Sequence, residues 1–421
     1  MIQPRTHCRT CGAQNLTLIL DLGRTPLAND FLAPEEVAGY ALSLPLRLML
    51  CRDCSLVQLA DSVDPKVLYS RYAYVTSTSR TMDAHLTEQS EHLLRLVGKA
   101  TRPKVLEIAS NTGILLQKFK ERGADVLGVE PASNIAAVAT QAGIPTREEF
   151  FNAATAARLA AEWGLADLIV GRHVFAHIDD LQDLLAGLAA VSHPDTLVAF
   201  EVPYQVDFLE RTEYDTIYHE HLSYISAHSI VALVANSPFQ LQRIDHYPIH
   251  GGSILFHLRR RGSSVPTHSS VADTLERERY LRIHQPATWE AFAQRVNHIR
   301  HELPALIRSL KAQGKRIIGY GASAKGNTLL NTCGLTTAEL DYIIDNTPFK
   351  QGKVAPGSQL PIRPPETLLQ DQPDYALLLA WNFAREIVSR ETAFQQAGGR
   401  FILPIPEPRV LEFPPVPGPA L

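Results

Sequence analysis

The sequence holds no 18-residue apolar run, and a bilayer-spanning helix needs about 20 such residues. Arg5, Thr6 and His7 lead straight into Cys8, leaving no room for the apolar stretch of a signal peptide. A cytoplasmic protein without a membrane partner is expected. Positive charge is not in excess either. Lys and Arg number 40 against 44 Asp and Glu, a formal net charge of −4, which argues against a nucleic-acid polymer as partner. Cysteine is scarce, with five in 421 residues. The hydrophobic share of 45% and charged share of 20% are those of an ordinary globular chain, and the length predicts two to three domains. A monomer is expected.

Four of the five cysteines are gathered in two Cys-x-x-Cys pairs, Cys8 with Cys11 and Cys51 with Cys54. Paired knuckles of this kind supply the four soft ligands of a tetrahedral zinc. Disulfides or buried free thiols are the competing readings. A zinc with four thiolates has no open position, so the metal is expected to hold structure and do no chemistry. Cys333 reads as a small packed residue.

The expected fold class is α/β in three units with a tail. Residues 1–75 read as short strands and loops around the zinc, followed by a helix over 81–99. From 103 onward, apolar strands at 104–108, 124–129, 167–170 and 196–202 alternate with helices at 113–122 and 134–142. That pattern predicts a parallel sheet with helices on both faces, in a Rossmann-like domain spanning 76–265. Residues 205–260 look less regular. Residues 272–310 look helical and charged, and a second Rossmann-like unit over 266–405 opens at KRIIGYGAS. The Pro-rich tail, 406–421, is expected to be extended.

Strand-to-helix turns are where such sheets bind ligands. The first strand ends in Glu107, Ile108, Ala109, Ser110, Asn111, Thr112 and Gly113, and the second in Glu130 and Pro131. An acid at the second strand end is placed for ribose hydroxyls. The first loop lacks the GxGxxG spacing that a pyrophosphate needs. S-adenosylmethionine therefore fits better than a dinucleotide, with Glu107, Ala109, Ser110, Asn111, Gly113, Glu130, Pro131 and His173 as candidate contacts.

The densest proton-exchanging segment is Tyr218, His219, Glu220 and His221. If the segment is extended, Glu220 points away from both histidines; if it turns, they can converge. His177 follows the third buried strand and can reach the same crevice. Tyr72 and Tyr74 lie between the zinc unit and the next. Acid–base chemistry, a metal bound by two His and one Glu, and structural hydrogen bonding all fit the spacing.

Together these motifs have a family resemblance. Cys8-Arg9-Thr10-Cys11-Gly12, the Cys51 to Leu59 segment, Glu107 to Gly113, Tyr218 to His221, and Gly319 to Thr328 come in the order seen in three-domain sugar C-methyltransferases. Those enzymes serve the tetronitrose, mycarose and noviose pathways of antibiotic producers. The resemblance implies S-adenosylmethionine as methyl donor. It implies a nucleotide-linked keto sugar as acceptor, usually a thymidine diphosphate 4-keto-6-deoxyhexose. It makes His221 the general base, Glu220 the group that holds or tunes it, and Tyr218 a sugar contact, with His177 and Tyr74 (Tyr72 the nearby alternative) completing the catalytic set. His221 would remove a proton from C3 (C5 in some members), and the enolate would take the methyl group. In the last unit, the small residues and charge of Tyr320, Ala322, Ser323, Lys325 and Asn327 suit a diphosphate; a unit that has lost its ligand is the other reading. His250 is a candidate for lining the crevice. Two rivals remain at this stage: an NAD-dependent nucleotide-sugar oxidoreductase with structural zinc, and a non-enzymatic zinc and nucleotide-binding module.

Overall fold

The structure, a computed structural model, describes residues 2–69, 80–98, 101–249 and 251–412. Tyr72, Tyr74 and His250 lie outside the described residues, as do the last prolines of the tail.

The N-terminal unit is built from β1 (Ile2–Pro4), β2 (Leu16–Thr25), β3 (Leu44–Cys51), β4 (Val57–Leu59) and β5 (Asp61–Val63). In β3 the residues Leu44, Leu46, Leu48 and Leu50 are buried, while Pro45, Arg47 and Met49 between them are half-buried. That period of two sets β3 antiparallel against β2 and β4 with one face on the core. The strands at β3 and β4 also bring the second cysteine pair to the first.

The amphipathic helix Arg80–Val97 leads into the central unit. There β6 (Lys104–Ile108), β7 (Asp125–Val129), β8 (Thr146–Arg147), β9 (Ala166–Arg172) and β10 (Ser192–Pro203) pair in parallel. Their near-continuous burial is that of strands covered on both faces. The next strand, β11 (Ser223–Tyr224), leaves this sheet and pairs antiparallel with β4, placing Ser223 opposite Gln58 and Tyr224 opposite Val57. Two strands of 9 and 8 residues, β12 (Phe239–Tyr247) and β13 (Ser253–Arg260), then complete the central sheet. Its order is β12-β13-β10-β9-β6-β7-β8, with β13 antiparallel to both neighbours. The order reverses at β6 and β9, and the crevice beyond the ends of those strands is the ligand position of such folds.

The irregular stretch expected over 205–260 is corrected here. It contains helices Gln205–Arg211 and Ala227–Val234 besides β12 and β13. Gln240, Gln242, Arg243, Asp245 and His246 break the apolar pattern of β12: Asp245 binds Arg243, His92 and His257, His246 meets Asp207 at 2.6 Å, and Gln242 donates to the Pro266 carbonyl at 2.7 Å.

Helices Ser269–Tyr280 and Pro286–Ala312 lead to the last unit. Its sheet runs β16 (Ile362–Arg363), β15 (Ile343–Ile344), β14 (Ile317–Tyr320), β17 (Tyr375–Leu378), β18 (Arg400–Leu403), β19 (Arg409–Val410). All neighbours are parallel except β19, which turns part of the expected extended tail into an antiparallel edge strand. Among the described residues, no helix is long and apolar enough to cross a membrane.

Candidate active site

The loop after β6 is shaped by backbone conformations that few residues adopt. Ala109, Asn111 and Gly113 have φ of 53°, 49° and 77°, and His173 after β9 has 52°. The loop lies so close over β7 that a Cβ on Gly128 would sit 2.4 Å from the Ser110 Oγ. Glu130, at the end of β7, accepts from the backbone N–H of Asn111 at 2.9 Å and of Ala132 at 3.0 Å. These bonds fix its carboxylate at the mouth of the crevice and leave lone pairs for a ligand, with Pro131 half-buried beside it. Glu107 is buried, and burial pushes its carboxyl up to about 8 against the pull of Arg172. Glu107 Oε2, Ser110 Oγ and Thr112 Oγ1 are buried with no hydrogen-bond partner among the described residues. Buried polar atoms are normally paired, so this cluster fits a ligand rich in hydroxyl and ammonium donors. S-adenosylmethionine is such a ligand.

Behind this mouth stands a charge network that sequence spacing gave no sign of. Glu201 is fully buried and takes hydrogen bonds from Gln89 (2.8 Å) and Arg172 (3.1 Å), with His85 Nε2 at 2.9 Å. Arg172 and these partners hold its carboxylate well below the usual range despite burial. His173 Nε2 lies 3.8 Å from the same carboxylate.

Tyr218 to Glu220 form a turn, closed by the His221 N–H donating to the Tyr218 carbonyl at 2.9 Å. The three side chains that follow diverge. His219 Nε2 faces the Pro45 carbonyl of the N-terminal unit at 3.2 Å, so it is a seam residue. Glu220 is buried and faces Asn29, whose Nδ2 lies 2.8 and 2.9 Å from its two oxygens. His221 turns inward. Its Nδ1 is 2.9 Å from the Thr216 carbonyl, which can only accept, so Nδ1 carries the proton. Nε2 therefore holds a lone pair, and the Tyr218 hydroxyl donates to it at 2.7 Å. Burial, then the neighbouring His177, keeps His221 well below the usual histidine range, with Lys325 and His173 contributing. The His177 ring meets the His221 ring edge-on at 5.0 Å, and burial lowers His177 to about 4. Tyr218, His177 and His221 thus come together, while His173 and Lys325 act on His221 through their charge. The set His219, Glu220 and His221 does not gather at metal-ligand distance; the two such groups among the described residues are the four cysteines and His92, Asp245 and His257.

The candidates on the last unit separate. Tyr320 donates to Glu391 at 2.6 Å, within the last unit. Ala322 is buried, and its N–H is taken by Asp345 at 2.7 Å. Ser323 caps helix Ala324–Cys333, and Asn327 donates to the Ala28 carbonyl at 2.7 Å. Lys325 alone reaches into the central unit. Its Nζ lies 3.7 Å from Glu213 Oε2 and 5.2 Å from the Trp381 ring centre. Burial raises Glu213 to about 7, and Asp215 accepts from Trp381 Nε1 at 2.6 Å.

In the N-terminal unit the four cysteine sulfurs lie within 4.8 Å of one another, the nearest pairs at 3.4 and 3.6 Å. That is too far for a disulfide, whose S–S bond is about 2.05 Å, and right for ligands around one ion. Thr10 Oγ1, 3.0 Å from Cys54 Sγ, supports the cluster from outside. These sulfurs would hold the zinc, and as a closed set of four they leave no position for substrate.

C-methyltransferase NovU of Streptomyces niveus is 39% identical to this chain over 411 residues, covering 98% of each. The chain belongs to the C-methyltransferase family. Its family models match in order: a zinc binding domain over residues 8–69, a methyltransferase domain over 82–244 and a C-methyltransferase C-terminal domain over 248–406. Ser253–Arg260 of this C-methyltransferase, matched by the last of these, finish the central sheet as β13. Among solved structures it is similar to magnesium protoporphyrin IX methyltransferase of Synechocystis PCC 6803 with bound SAM, at 13% identity, 47% of this chain, 98% of that one and TM-score 0.34. It is likewise similar to PH0226 protein of Pyrococcus horikoshii OT3, at 12% identity, 47% and 99% coverage and TM-score 0.34. The enzyme is an S-adenosylmethionine-dependent C-methyltransferase with a four-cysteine zinc-binding unit.

Proposed function

We propose that this enzyme methylates a carbon beside the ketone of a nucleotide-linked 4-keto-6-deoxyhexose, with C3 as the carbon and a thymidine diphosphate as the carrier. The acceptor class comes from the five-motif resemblance. The observation that carries the chemistry is the state of His221: proton on Nδ1, lone pair on Nε2, burial, and Tyr218 and His177 beside it.

A ketone makes its neighbouring C–H acidic. Nε2 of His221 takes that proton, and the Thr216 carbonyl steadies the imidazolium through Nδ1–H. The Tyr218 hydroxyl, displaced from Nε2 by the substrate, is in reach to donate to the developing oxyanion. His177, lowered by burial, stays neutral and adds no repelling charge to the imidazolium. Glu220 fixes the turn from which His221 projects. Bound S-adenosylmethionine supplies the electrophilic methyl group that the carbanion takes. Glu107, Ala109, Ser110, Asn111, Gly113, Glu130, Pro131 and His173 would hold it. Lys325 is the residue of the last unit best placed to meet the acceptor, and Tyr72, Tyr74 and His250 complete the assignment from sequence. Holding both substrates in one crevice supplies much of the rate through positioning.

A panel of nucleotide-linked 4-keto sugars, incubated in heavy water without methyl donor, tests this reading. The true acceptor takes up deuterium at one carbon, C3 for the thymidine diphosphate sugar, and the His221→Ala enzyme fails to exchange it. Exchange that survives the substitution removes His221 as base; no exchange with any keto sugar removes the acceptor class.

A further inference from the structure

We propose that Asn29 of the zinc unit is a positioning residue for the reaction, holding the Glu220 carboxylate and through it the turn that presents His221. The proposal rests on the reading of Glu220 given above and adds a residue from another part of the chain, 191 positions away.

Asn29 sits in the loop after β2, and that loop is fastened on both sides. The Ala28 carbonyl accepts from Asn327 at 2.7 Å. Two residues beyond Asn29, the Lys350 Nζ lies 5.1 Å over the Phe31 ring. Leu32 exchanges backbone hydrogen bonds with Val354 at 3.0 and 2.8 Å. The last unit thus clamps the loop, and the loop aims Asn29 at the central unit.

Glu220 has Asn29 as its hydrogen-bond partner among the described residues, with Nδ2 between the two oxygens. Both oxygens lie in reach of that one nitrogen, so a single N–H of the amide is shared between them. A buried carboxylate is expensive to leave without donors, so the amide sets both where the carboxylate lies and how readily it charges. The arrangement gives the zinc clip a part in catalysis although the metal meets no substrate: it anchors the sheet from which the Asn29 loop springs.

The test compares Asn29→Ala, Glu220→Gln and the double variant in the full zinc-loaded chain, with Asn29→Ser as the milder change should the alanine variant fold poorly. Isotope-edited infrared titration follows the Glu220 carboxyl, identified by its loss in Glu220→Gln. Burial sets it at about 7; loss of the amide donor moves it higher. With S-adenosylmethionine and thymidine diphosphate 4-keto-6-deoxyglucose, kcat at pH 7 falls roughly 10- to 100-fold, the scale of a hydrogen bond to a charged group. S-adenosylhomocysteine affinity and zinc content stay unchanged, and the double variant is no slower than Glu220→Gln. An unmoved titration and unchanged kcat in both Asn29 variants overturn the proposal while leaving Glu220 in place. Additive losses in the double variant overturn it too. Wild-type turnover in Glu220→Gln instead removes the role of Glu220, and the proposal with it.

Discussion

At the scale of single residues, the proposed site centres on one imidazole whose tautomer is fixed by a backbone carbonyl. Burial makes His221 a weaker base yet keeps it unprotonated at neutral pH. Its lowered value means that activity is not lost through His221 as pH falls from 8 to 6. Burial raises Glu220 and Glu213 to about 7, and the pH–rate profile should break there. In Glu220→Gln the break simplifies, which kinetics across pH 5.5 to 8.5 will show. His221→Ala should lose on the order of 10²- to 10⁴-fold in methyl transfer, the usual contribution of a general base, while calorimetry finds S-adenosylhomocysteine bound as before. Gly128→Ala is the mirror case. Its methyl group would strike Ser110, and overpacking of this kind costs about 1–3 kcal/mol. Donor affinity should fall while wash-in at the acceptor persists. The proposed catalytic and donor-binding residues were conspicuous in sequence because Tyr218 to His221 and Glu107 to Gly113 are contiguous. Asn29 and Gly128 were not, since their roles come from contacts across the fold, and neither residue type is chemically conspicuous.

At the scale of elements, the parallel strands β6, β7, β9, β10 and β14 were readable from their apolar runs, whereas the two-residue β8 was not. Strands β12 and β13 were not read either: Gln240, Gln242, Arg243, Asp245 and His246 interrupt β12, and His257 interrupts β13. The pairing of β11 with β4 was also hidden, as no two-residue strand announces its partner. That pairing matters to the site. Leu59 donates its N–H to the Leu222 carbonyl at 3.0 Å, so the strand leaving the zinc knuckle grips the residue after His221. Cys51→Ser should therefore do more than lower the melting temperature. Because a misplacement of about 1 Å can cost on the order of 10²-fold in rate, kcat should drop in whatever fraction remains folded, measured beside zinc content. Full kcat in a zinc-free folded protein would uncouple the clip from the chemistry.

At the scale of the whole molecule, burial of carboxyls sets the dependence of stability on pH. Glu107 is raised to about 8, and Glu213 and Glu220 to about 7. Acids raised on folding bind more protons in the native than in the unfolded state. Their contribution is full below the unfolded value near 4.5 and is lost as pH climbs through 7 and 8. Glu201 and Asp245 are shifted down; what they contribute is present above about 4 and fades in acid. Buried His173, His177 and His219, lowered to about 4, work the other way below about 6.5, so the donor-free enzyme should be most stable near pH 6 to 6.5, and its melting temperature should fall toward pH 8.5. Glu107→Gln should flatten that alkaline slope, by up to about 1.4 kcal/mol per pH unit below pH 8. A slope identical to that of the parent enzyme would show that Glu107 is not the group responsible.

The lodging of Ser223 and Tyr224 beside β4 also sets an order of assembly. As the chain is synthesised, the cysteines are available to metal by residue 54, yet their sheet gains its fourth strand only after residue 224 has emerged. The amino-terminal segment therefore finishes folding together with the middle of the polypeptide, and a fragment cut between them would leave an unmatched sheet border on one piece and an unsupported His221 turn on the other.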